Sequence, residues 1–142
     1  MKNFKLMLFV VASIFLFGNH NQDVKAVDNS DNGVEMRTGQ IHAPIIEAIL
    51  PADSIIETYV GERFEFSVLF FSQNSPGEVK VFVHGSNGEE ALDTIFFESG
   101  RNIFEYSVIC VDPGNAMIEV RVLNNSGESV SVFFDLRVRE RN

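Results

Sequence analysis

From residue 41 to residue 139 the apolar side chains recur at every second position. No stretch of helical period interrupts them. Successive side chains on an extended strand point to opposite sides, so this period writes one apolar and one polar face onto each segment. Phe64, Phe66, Val68 and Phe70 share one parity, with Glu65 and Ser67 on the other. Val79, Val81 and Val83 repeat the pattern, as do Ile118, Val120 and Val122, and then Val130, Val132, Phe134, Leu136 and Val138. Strands with one apolar face must bury it against a second layer, which gives a sandwich or a barrel.

Turn chemistry cuts the alternating region into eight segments. Strands are expected over 45–50, 55–60, 63–72, 78–84, 92–98, 103–111, 117–123 and 129–139. Between them lie Pro51, Gly61, Ser75-Pro76-Gly77, Gly85-Ser86-Asn87-Gly88, Ser99-Gly100-Arg101-Asn102, Asp112-Pro113-Gly114-Asn115 and Asn124-Asn125-Ser126-Gly127. Gly and Asn tolerate the positive φ that tight hairpins demand, and Pro presets the first corner of a turn. This count over residues 41–142 predicts an all-β fold, an immunoglobulin-like antiparallel β-sandwich of about seven to eight strands. The Cys…Trp…Cys core of antibody domains is missing: the chain has one cysteine and no tryptophan.

The first 26 residues read as a secretory signal peptide. Lys2 and Lys5 precede an apolar run from Leu6 to Gly18 with no charge. That run, about 13 residues, would be roughly 20 Å long as a helix, too short for a hydrocarbon core of about 30 Å. Val24 and Ala26 fill the small-residue positions, so the cut is expected after Ala26, with an uncleaved anchor as the alternative. No lipid-accepting cysteine follows the run, because Cys110 lies far downstream. Residues 27–40 are polar and have little to bury, so they read as a flexible leader ahead of the domain. The expected location is secreted or extracytoplasmic, in a periplasm or on a cell surface.

Charge excludes some partners. The chain carries a formal net charge of −9, and cleavage would remove three lysines against the single acid Asp23. Nucleic acid and anionic lipid both require basic surfaces, so neither is an expected partner. Stable membrane insertion is not expected once the leader is gone. Carbohydrate is not expected either: sugar platforms favour Trp and Tyr, and the chain has no Trp and two Tyr, both within strands. The 14 Phe read as core.

Constellations with chemistry are sparse. Asp28 to Gly33 resembles a calcium loop, but the twelfth position is Gly39, where an EF-hand needs a bidentate Glu. His20, His42 and His84 have no metal-ligand spacing, and His84 reads as an exposed imidazole at a strand end. Glu89 and Glu90 read as solvated acids in a turn. Cys110 shares the parity of Phe104, Tyr106 and Val108, so it reads as a buried thiol. No nucleophile elbow or phosphate-cradling Gly loop is present. The expectation is no enzyme, no metal and no cofactor.

One feature points to recognition. The parity that sends the valines inward sends Phe82, Leu123 and Phe133 outward, on strands that share one sheet in an immunoglobulin-like order. They are expected to form an exposed apolar stripe that docks a protein partner or a second copy.

A family resemblance adds to this. Val60-Gly61-Glu62-Arg63-Phe64-Glu65-Phe66-Ser67-Val68 resembles the opening of strand B in bacterial immunoglobulin-like domains of the cell-adhesion-related (CARDB-type) group. Ser99-Gly100-Arg101-Asn102-Ile103-Phe104-Glu105-Tyr106 is similar to a glycine turn feeding their later strands. The segment from Pro113 through Asn124-Asn125-Ser126-Gly127 to Val138 is similar to their last hairpin. Over residues 55–139 the resemblance implies the fold and an extracellular adhesive or accessory role, and it carries over no catalytic or binding residue. The leading expectation is a secreted or cell-surface binding module with adhesion or scaffolding as its role. The alternative is a secreted inhibitor, of a protease for instance, acting through the loops at 72–77, 85–90 and 112–115.

Overall fold

The computed structural model describes residues 42–73 and 76–142, together with the backbone of 13–16. The expected leader at 27–40 lies outside the described residues, as does the signal peptide apart from 13–16. Nine strands are described: β1 (Ser13–Leu16), β2 (Ile45–Leu50), β3 (Ile55–Tyr59), β4 (Arg63–Ser72), β5 (Gly77–Gly85), β6 (Gly88–Phe97), β7 (Gly100–Ile109), β8 (Gly114–Leu123) and β9 (Ser129–Arg139). There is no helix among them.

Two sheets form, in the orders β1-β7-β4-β2 and β3-β9-β8-β5-β6. After Pro51 the chain leaves the first sheet, where β2 pairs antiparallel with β4, and enters the second, where β3 runs parallel to β9. The opening segment is thus divided between the sheets. The other strands take the places of an immunoglobulin-like sandwich: β4 and β7 as B and E, and β5, β8 and β9 as C, F and G. β1 pairs antiparallel with β7, Ser13 opposite Glu105 and Leu16 opposite Asn102.

The core is built as the alternation requires. Phe64, Phe66, Val68 and Phe70 of β4 face Val79, Val81, Val83, Ile118, Val120, Val122, Phe134, Leu136 and Val138 of the second sheet. Phenylalanines take over the bridging that a Trp and a disulfide give antibody domains. Phe66 meets Phe134 across the sheets at a centroid distance of 4.9 Å, and Phe70 meets Phe97 edge-on at 4.8 Å. Such tilted and edge-on pairs add to the stabilisation from area burial. Cys110 is fully buried among them, as its parity implies.

Turns follow their chemistry where it is strongest. Asn124 accepts hydrogen bonds at Oδ1 from the backbone N–H of Ser126 and Glu128, and Gly127 adopts φ 83°. Strand limits differ most at β6, which begins at Gly88 rather than at residue 92. Gly85 pairs with Gly88, so only Ser86 and Asn87 turn the chain and the ladder resumes at once. Glu89 and Glu90 are therefore strand residues opposite His84 and Val83, not turn acids. A bulge then breaks the alternation: Phe82 pairs with Ala91 and Val81 with Asp93, leaving Leu92 as the extra residue.

Candidate functional site: the outer face of the second sheet

Inward valines leave the opposite parity of β5, β8 and β9 on the outer surface. Cross-strand register arranges that surface in rows. Phe82, Glu119 and Phe133 form one row, and Lys80, Arg121 and Ser131 the next. Beyond these lie Glu78, Leu123 and Ser129 on one side, and His84, Met117 and Asp135 on the other.

The expected stripe of Phe82, Leu123 and Phe133 is therefore interrupted. All three lie on the outer face, as their parity requires, but they do not form one exposed apolar surface. Phe82 is only 9% exposed, because the guanidinium of Arg121 lies over its ring with its carbon 4.5 Å from the centroid. Leu123 is two rows from the phenylalanines, with Arg121 in the row between. Phe133 is 44% exposed, and by register its exposed apolar neighbours are Met117 of β8 and Ile55 of β3, both in the row of Asp135. Sequence reasoning assigned neither Met117 nor Ile55 to this surface.

Glu119 stands between the two phenylalanines and is 4% exposed. A buried carboxylate is costly unless its oxygens are satisfied. Here both are. Oε1 accepts from Arg121 Nε at 2.8 Å and from Ser131 Oγ at 2.7 Å. Oε2 lies 2.8 Å from His84 Nε2. Burial alone would push the Glu119 carboxyl up; the hydrogen bonds from Arg121, Ser131 and His84 and the charge of Arg121 outweigh it and hold the group at about 2. The same pairing raises Arg121 further above its already high value.

His84 is not the free strand-end imidazole expected from sequence. Its side chain is partly buried, with Phe82 and Phe133 on either side at centroid distances of 6.5 and 6.4 Å. Its Nδ1 lies 3.6 Å from Glu89 Oε2, so both ring nitrogens face carboxylates. His84, Glu89 and Glu119 each bring a potential ligand atom to within 4.8 Å of the others. This convergence was missed because it joins the two ends of a hairpin to a third strand. The signal that could have found it was the tight Gly85–Gly88 turn, which places Glu89 opposite His84.

No protein-family model matches the sequence, and no curated protein matches it. Among solved structures, the chain is similar to the BIgI domain of beta protein from S. agalactiae bound to CEACAM1, at 14% identity over 70% of this chain and 99% of that one, with a TM-score of 0.48. It is also similar to the titin M3 domain, at 19% identity over 69% and 97% of the two chains, TM-score 0.49. A superoxide reductase (neelaredoxin) from Ignicoccus hospitalis is similar at 12% identity over 69% and 81%, TM-score 0.49. The strand order itself defines the chain as an immunoglobulin-like sandwich.

Proposed function

We propose that this chain is an exported, non-enzymatic binding module that docks a protein partner through the outer face of its second sheet. The observation that carries the reading is the grouping of Phe133 with Met117 and Ile55, three exposed apolar side chains around Asp135, which stands between Met117 and Ile55 in the next row. Exposed apolar groups that adjoin one another mark interaction surfaces more often than scattered ones do. Charged side chains border the group: Asp135 and Glu57, both paired with Arg137, and Glu89, which faces His84. With a chain charge of −9, the complementary partner is a protein of net positive charge that offers an apolar anchor. Export is supported by the basic start and short apolar run of residues 1–26. The resemblance of residues 55–139 to cell-adhesion-related domains supports an adhesive or scaffolding role.

The test is capture of surface proteins from the producing cell on the immobilised domain. A partner retained by the native protein should be lost with Phe133→Ser and with Met117→Ser, and should elute at high salt. Ile45→Ser, on the other sheet, should leave capture intact. Equal capture by native protein and Phe133→Ser, or equal loss with Ile45→Ser, would remove the reading.

A further inference from the structure

We infer that His84, Glu89 and Glu119 form a surface site for a borderline divalent transition cation, with zinc as its representative. The potential ligand atoms of the three side chains already lie within 4.8 Å of one another. Zinc binds imidazole nitrogen and carboxylate oxygen at about 2.0–2.2 Å, so tetrahedral ligand atoms stand roughly 3.3 Å apart. His84 Nε2 and Glu119 Oε2 are held 2.8 Å apart by a hydrogen bond, so a cation would displace its proton and widen the pair by about 0.5 Å. Glu89 is half exposed and now faces Nδ1 of the same ring, so its side chain must swing from there to the Nε2 side to complete the site, which its place across a two-residue hairpin from His84 allows.

The support around Glu119 is of the kind that ligating carboxylates have. Arg121 and Ser131 both hold Oε1, which fixes the carboxylate and leaves Oε2 directed at His84. Hydrogen bonds to the far atom of a ligand orient it and limit the reorganisation that binding requires. Charge also permits it: two carboxylates and one guanidinium leave a single net negative charge beside the His84 ring. Three protein ligands leave a coordination position for water or for a donor from another molecule. One imidazole with two carboxylates favours a borderline cation over calcium, which takes oxygen ligands alone.

The site adjoins the docking surface proposed above and shares Glu89 with it, but its test needs no partner, so either can fail without the other. The test is calorimetric titration of the full chain, free of any histidine tag, with zinc, and in parallel with cobalt followed by its visible absorption. Expected is one saturable event per chain, a tetrahedral cobalt spectrum, and a loss of affinity of about tenfold or more in both Glu89→Gln and His84→Gln. Glu89→Gln alters an exposed side chain, so it reports on binding even if His84→Gln disturbs the strand end. Several weak binding events unchanged in both variants would mean adventitious coordination by surface acids and would overturn the inference. So would calcium competing on equal terms with zinc, or no zinc binding at all.

Discussion

The guanidinium carbon of Arg121 lies 4.5 Å from the centre of the Phe82 ring while its Nε donates to Glu119 at 2.8 Å. One side chain thus shields an outward-facing aromatic from water and neutralises a buried carboxylate. Arg121→Met should keep much of the apolar cover and lose the charge, leaving Glu119 with only Ser131 and His84. Removing one partner from a buried ion pair costs about 3–5 kcal/mol, and the two hydrogen bonds that Glu119 keeps put this loss at the lower end of that range. Arg121→Lys should recover only part of that, since a point charge lacks the planar face that stacks on Phe82. Urea denaturation of the two variants measures both values.

Acid should weaken the fold through Glu119. Its carboxyl is held at about 2 in the folded chain against an ordinary 4.5. A depressed folded value contributes stability that is fully present above the unfolded value and is lost as pH falls through the folded one. The loss should therefore run from about pH 4.5 down to about pH 2 and amount to some 2–3 kcal/mol. Glu119→Gln should flatten the stability profile of the metal-free protein in that window. Thermal melts at stepped pH in the presence of a chelator check it, and an unchanged slope would refute it.

Phe82 and Phe133 should respond differently to the same substitution. Phe133→Ser alters a side chain that is nearly half exposed and should change stability by about 0.5 kcal/mol or less. Phe82→Ser removes a covered ring and its cation contact, and should cost about 1.5–3 kcal/mol. Loss of binding in Phe133→Ser therefore reports on docking, whereas loss in Phe82→Ser would be confounded by unfolding. Paired denaturation curves distinguish the two.

Gly77 opens β5 where two other groups converge. A Cβ there would lie 2.2 Å from Phe97 Cζ and 2.5 Å from the backbone oxygen of Leu123. Backbone cannot swing aside, so Gly77→Ala should lower stability by about 1–3 kcal/mol. Gly85→Ala, where a Cβ would meet nothing within 4 Å, should be far milder. Melting both variants side by side checks the contrast.

Much of the fold was legible because alternation is a direct record of which face a strand buries. The inward parity of Val79, Ile118 and Phe134 follows from it, and so does the outward parity of Phe82 and Phe133. It failed at Leu92, where the bulge inserts one residue and resets the period. Burial of Phe82 was not legible, because its cover comes from Arg121 on the neighbouring strand rather than from its own. The approach of His84 to Glu119, 35 residues apart, depends on β5 and β8 becoming neighbours.

Cys110 is fully buried just beyond the end of β7, with burial raising its thiol to about 11. A thiol so protonated and enclosed does not meet an alkylating reagent until the sheets part. As the chain's sole cysteine, it gives each molecule a single irreversible mark, made when that molecule opens. Mass spectrometry after timed exposure to iodoacetamide then counts the fraction that has opened, with no label or engineered probe. The core residue with no assigned chemistry becomes a clock for the lifetime of the fold, readable even in a mixture of other proteins.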